Sequence, residues 1–229
     1  MRKYFIAIIL LIGGQSCKVN NNVDYEMKVL TEIFDSLIEE MGVLSQFEIP
    51  PPPEMLIFDD NNNIIGYDTV GYKKENAEIE NKNRKMRDTT FVIAVVDTLF
   101  PCHNEDLDMK YIKSQLPEQG YVEALNAMKN YSIVSLPLNL SKIGKRERLT
   151  LKYYSEFPKG VKIWEIENYD FLFSGVLEIS RIYFDTTNQF GLLYSSYTCG
   201  RLCGEGLIIC ICKINGKWII EKKISLWVS

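Results

Sequence analysis

Histidine is almost absent from this chain of 229 residues, with His103 standing alone. Imidazole chemistry therefore has a single candidate, and it follows Pro101-Cys102 in a predicted loop, where a surface role is the ordinary one. No serine lies in a G-x-S-x-G or S-x-x-K pattern, so no activated nucleophile is signalled. No glycine-rich loop joins a strand to a helix in the manner of nucleotide-binding folds, and no internal repeat is visible. Positive charge is short as well: 26 Lys and Arg stand against 30 Asp and Glu, a net charge of −4. The densest basic group, Lys142, Lys145, Arg146 and Arg148, is interrupted by Glu147 and reads as a solvated turn. Phosphate backbones demand a basic patch, so nucleic acid is excluded as a partner. No catalytic residue, metal site or cofactor is assigned on these grounds.

What is present begins at the N-terminus, where Arg2 and Lys3 precede the apolar run 4–12, Gly13-Gly14-Gln15-Ser16 and Cys17. A membrane-spanning helix needs about 20 apolar residues, and this run stops well short at the two glycines. A basic start, an apolar stretch of roughly 7–15 residues and small residues before a cut define a secretory signal instead. With the cysteine after them, these residues resemble the lipobox signal of bacterial lipoproteins, although Gly14 stands where such signals more often carry Leu. The resemblance implies that residues 1–16 are a signal peptide and that Cys17 carries lipid. It further implies that 17–23 form a polar tether and that the chain is anchored by its lipid to the bacterial cell envelope, with the outer membrane the expected destination. An uncleaved secretory signal with an incidental cysteine would leave the compartment unchanged. Cys102, Cys199, Cys203, Cys210 and Cys212 remain, an odd number in a compartment where disulfides persist, so at least one is not paired within the chain.

Residues 24–229 are expected to form a single α+β domain. Asp24 reads as an N-cap to an amphipathic helix with Met27, Leu30, Phe34, Leu37 and Met41 on one stripe, closed by Gly42. Its polar face is acidic, which argues for packing on its own domain rather than on anionic lipid. The four-proline run 50–53 marks a boundary. Residues 55–58 and 64–67 flank an Asp/Asn-rich turn. Counting from Asp59, the sixth position is Ile64 and not the glycine a calcium loop requires. The charged stretch 71–89 reads as a mobile excursion or a solvated helix. The continuous run 91–96 reads as a strand buried on both faces, and helices are expected over 104–115 and 122–129. From residue 174 onward, segments 176–184, 192–199, 207–214 and 218–228 read as a four-stranded antiparallel meander with one buried and one wet face, its last joint the hairpin signal Asn215-Gly216. The expected fold is thus a mostly antiparallel sheet with this meander packed against helices.

Unusual residues concentrate at Cys199-Gly200-Arg201-Leu202-Cys203-Gly204-Glu205-Gly206. A disulfide between Cys199 and Cys203 that staples the loop is the expected reading. The C-x3-C spacing departs from the C-x-x-C of thiol exchange, a zinc site would need further ligands, and structural thiols are the remaining alternative. Cys210 and Cys212 lie on the same side of one strand, poorly placed to bridge, and read as small buried hydrophobes. Glu178 and Glu205, with Arg181 nearby, form a speculative ligand-binding trio if they approach across the meander.

The stretch holding Ser180-Arg181-Ile182, Phe184, residues 194–206, Asn215-Gly216-Lys217-Trp218 and Trp227-Val228-Ser229 resembles a domain of uncharacterised secreted proteins and lipoproteins of bacteroidete-type bacteria. That resemblance covers about 55 residues and implies no activity. Two functions follow as expectations: a non-enzymatic envelope lipoprotein that binds a small molecule or a protein, or a carboxylate-dependent enzyme acting on envelope polymers through Glu178 and Glu205.

Overall fold

A computed structural model of the chain describes residues 5–43, 52, 55–102, 107–129 and 133–229. Helix α1 (Phe5–Glu40) carries the predicted stripe, and Met27, Leu30, Phe34, Leu37 and Met41 are all buried. Gly42 closes it with a left-handed backbone. Asp24, expected as an N-cap, lies inside the helix instead, because the helical backbone continues through 17–23. Adding a residue to an existing helix is far cheaper than nucleating a new one, so polar residues can extend a helix whose later turns are pinned by packing. Among the described residues no helix is long and apolar enough to cross a membrane.

The predicted hairpin is present as β1 (Leu56–Phe58) and β2 (Ile64–Tyr67). Its turn is built by Asp59, whose Oδ1 accepts from the backbone N–H of Asn61 and of Asn63, both at 2.8 Å. Those bonds hold the Asp59 carboxyl below its ordinary range, the Asn63 side chain contributing most. The charged stretch that follows is a solvated helix, α2 (Thr69–Arg87). Hairpin and helix expose Leu56, Ile57, Phe58, Ile64, Ile65, Tyr67 and Val70 to solvent. Of the four-proline run only Pro52 falls within the described residues, and it is buried.

The α+β architecture rests on a seven-stranded sheet. Its order is β11 (Lys217–Val228), β10 (Cys203–Ile214), β9 (Phe190–Gly200), β7 (Leu172–Ile179), β3 (Phe91–Val95) and β6 (Leu149–Tyr153), with β8 (Tyr183–Phe184) alongside β9. The meander is antiparallel throughout. The sheet as a whole is mixed, however, because β3 pairs in parallel with both β6 and β7. The chain reaches β6 from β3 through β4 (Thr98–Leu99), α3 (Met109–Gln115), α4 (Gln119–Met128), β5 (Leu136–Pro137) and α5 (Leu140–Ile143), then reaches β7 through three 3-10 turns. Long crossovers of this kind return a strand in the same direction. As predicted, every residue of β3 is buried.

The expected segment 176–184 is broken between β7 and β8. There Ser180 bridges to Phe100, and the Arg181 backbone N–H donates to the Phe100 carbonyl at 2.8 Å. Helix α3 starts at Met109 with Asp108 as its cap, while 103–106, including His103, lie outside the described residues.

One face of the sheet is covered by α1, whose stripe packs on Phe91, Ile93, Leu177, Leu193, Ile209 and Trp218. The other face is covered at one end by α4, over Leu192, Ile208, Cys210 and Ile224. At the other end lies an aromatic group of Phe157, Trp164, Tyr169 and Phe173 over Val92 and Val176. The expected wet face of the meander is therefore dry along β10, where residues 206–212 are all buried. In β11 the alternation changes phase at a bulge. Ile211 pairs with Ile220 and Cys210 with Lys222, leaving Glu221 unpaired, so Trp218 faces α1 while Ile224 faces α4. Asn215 and Gly216 close the last hairpin with φ of 52° and 82°, both left-handed as its two-residue turn requires.

Candidate functional site

On the outer face a cavity of about 580 Å³ is lined by residues of β9, β11, α3 and the segment that precedes α3. Its walls are Phe100, Pro101, Cys102, Leu107, Asp108, Tyr111, Tyr194, Leu226 and Trp227. That volume lies in the range of small-molecule sites. Each aromatic wall is fixed by its own partners. Trp227 donates its indole Nε1–H to the Tyr194 hydroxyl at 3.1 Å. Its ring lies on β10 where Gly206 carries no side chain, and a Cβ there would fall 2.0 Å from Nε1. Phe100 meets Tyr194 edge-on at 6.0 Å between centroids. The Cys102 backbone N–H donates to the Tyr183 hydroxyl at 2.7 Å, and burial pushes that phenol up to about 12. Asp108 Oδ1 accepts from the N–H groups of Lys110 and Tyr111, both at 3.0 Å, which sets the start of α3 and the position of Tyr111. Among the described lining residues Asp108 carries the only formal charge, and none is Lys or Arg.

The speculative trio is not brought together. Glu178 stands opposite Ser196, and Glu205 opposite Tyr197, the next residue of the same strand. Successive residues of a strand point to opposite faces. Glu178 therefore lies on the outer face, accepting from the Ser196 hydroxyl at 2.9 Å. Glu205 lies on the α1 face, beside a smaller cavity of about 200 Å³ that Met41, Tyr197 and Cys203 also line. Arg181 belongs to neither carboxylate. It forms a two-bond pair with Glu26 of α1, with Nε to Oε2 at 2.8 Å and Nη2 to Oε1 at 2.5 Å, and Nη1 donates to the Val134 carbonyl. Its guanidinium is held above its ordinary range chiefly by that carboxylate, against the opposing effect of burial.

Cys199 and Cys203 are disulfide-bonded, with Cα atoms 5.1 Å apart at the turn between β9 and β10. Cys102, Cys210 and Cys212 are buried thiols outside that bond. Burial pushes Cys210 up to about 12 and raises Cys212 as well. A buried thiol of that kind is inert rather than nucleophilic. Cys17 lies in the part of α1 whose side chains are outside the described set. Among the described residues no group of three or more His, Cys, Asp or Glu side chains is placed to hold a metal ion.

Two features escaped sequence reasoning. The cavity walls come from segments as far apart as Phe100 and Trp227, and only the combination of an exposed terminal tryptophan with two glycines, Gly204 and Gly206, hinted at a ring lying on backbone. Glu26 did leave a local trace: it precedes Leu30, Ile33 and Leu37 at helical spacing on the buried side, and a carboxylate there calls for a buried partner. A comparison of the chain with protein-family models, with curated proteins and with solved structures found no match in any of the three.

Proposed function

We propose that this chain is a lipid-anchored protein of the bacterial cell envelope whose folded body binds a small ligand in the aromatic-walled cavity and does not act as an enzyme. The observation that carries the binding role is the cavity itself, lined by four rings, of which Phe100, Tyr194 and Trp227 are held by a hydrogen bond and edge-on packing. Catalysis by paired carboxylates has no support from Glu178 and Glu205, which lie on opposite faces of the sheet. Support for the anchor comes from the sequence: the basic start, the short apolar run and the cysteine at 17.

Each half of the reading has its own test. Metabolic labelling with a palmitate analogue is expected to mark the wild-type chain and not Cys17→Ser, and equal label on both would remove the anchor. For the body, small molecules that raise the melting temperature of the wild-type protein are expected to lose that effect on Tyr111→Ala. Tyr111 is 43% exposed, so its removal leaves the core intact. Hits that stabilise both proteins equally would place the ligand elsewhere.

A further inference from the structure

We infer that the cavity selects an organic cation of the methylated or quaternary ammonium class. The inference rests on the ligand-binding reading above and specifies what that site takes. Four rings, from Phe100, Tyr111, Tyr194 and Trp227, line one cavity, and the faces of aromatic rings carry the negative part of a quadrupole. Among the described lining residues the sole formal charge is the Asp108 carboxylate, and none of them is cationic. An anionic ligand would find no counter-charge among those residues. A primary ammonium ion would lose hydration that ring carbons cannot replace, because its N–H donors need acceptors. A quaternary ammonium group has no N–H to satisfy. It spreads its charge over methyl groups that suit apolar ring faces, and aromatic enclosures of such cations are a recurring solution. The Trp227 indole is one of the lining groups. Its edge is tied to Tyr194, its underside rests on Gly206, and the side chain is 40% exposed.

The same chemistry reaches an envelope protein from two sources, a free quaternary ammonium solute or the headgroup of a choline phospholipid. The test uses purified full-length protein labelled with 15N at the indole nitrogens, with the Trp227 signal assigned by its loss in Trp227→Phe. Choline is expected to shift that signal in a saturable way, and its neutral isostere 3,3-dimethylbutan-1-ol to bind about tenfold or more weakly, the factor that loss of the cation–ring and cation–carboxylate terms implies. Asp108→Asn keeps an N-cap of equal quality, so it is expected to fold normally while weakening choline several-fold. Phosphatidylcholine vesicles that bind the protein and are competed by choline would identify the headgroup as the source, whereas a response to choline without vesicle binding would identify the free solute. Equal binding of choline and the isostere overturns the cation inference and leaves the ligand-binding reading standing. A Trp227 shift with glucose or N-acetylglucosamine but not with choline overturns it in favour of a sugar. If no compound of these classes moves the Trp227 signal, the cation inference falls, and the ligand-binding reading is decided separately by the melting-temperature comparison with Tyr111→Ala.

Discussion

Arg181 and Glu26 meet as a two-bond ion pair across 155 residues of sequence, with the Glu26 side chain 2% exposed and that of Arg181 12%. Only a guanidinium presents two parallel donors to one carboxylate. The pair ties α1 to the corner between β7 and β8, and Arg181 also reaches the Val134 carbonyl at 2.5 Å.

Removing either partner strands a buried charge. Glu26→Leu and Arg181→Met are each expected to lower unfolding stability by about 3–5 kcal/mol. The double variant Glu26→Leu with Arg181→Met is expected to cost less than the two single changes added together, because no charge is then left behind. Denaturant titration of the four proteins gives the comparison. Single variants within about 1 kcal/mol of wild type would show that water reaches the pair.

The disulfide closes a very small ring between β9 and β10. Chain-entropy reasoning assigns it about 2 kcal/mol. Cys199→Ser with Cys203→Ser is expected to lower the melting temperature without altering ligand binding at the outer-face cavity. In the native protein neither residue should react with iodoacetamide until a reductant is added. Prompt labelling of Cys203 before reduction would contradict the bond.

Four buried acids hold their protons more tightly in the fold than in the unfolded chain. Burial is the leading cause for each: Cys210 and Tyr183 are pushed up to about 12, and Cys212 and Tyr121 are raised as well, Tyr121 also through its hydrogen bond to Glu221. Their stabilising effect is therefore fully present below the ordinary thiol and phenol ranges. It is lost as pH rises from about 9 toward 12, where only the unfolded chain releases these protons. Melting temperature is expected to fall steeply over that interval, and Cys210→Ala with Cys212→Ala to delay the start of the fall toward pH 10. A flat profile between pH 8.5 and 10.5 would mean that the thiols are in contact with solvent.

Much of this fold was legible because its signals are local. The stripe on α1, the Asp59 turn, the solvated α2, the buried β3, the shared side of Cys210 and Cys212 and the Asn215-Gly216 hairpin each depend on residues a few positions apart. What stayed hidden depends on partners far along the chain. Parallel pairing of β3 with β6 cannot be read from residues 149–153, which form an edge strand only because the crossover delivers them there. The basic residues of the 140s read as a solvated turn, yet Arg146 pairs with Asp35 of α1, and Lys142 meets Asp24 at 2.7 Å. Both charge patterns were visible, but their meeting was not. The bulge at Glu221 likewise left no mark in β11, whose even-numbered apolar residues looked like a single face.

The cover over α1 is completed by a strand made long after the helix. Trp218, on β11, is buried against the helix, and its backbone N–H donates to the Glu32 carboxylate at 3.0 Å across 186 residues. At synthesis rates of about 5–20 residues per second, the apolar side of the helix waits on the order of ten to forty seconds for that cover. Until then Leu30, Ile33, Phe34 and Leu37 form a sticky surface with nothing to close on. The order of synthesis thus makes the nascent chain depend on being kept from premature association, and a copy that stops short of residue 218 would carry that exposed stripe permanently.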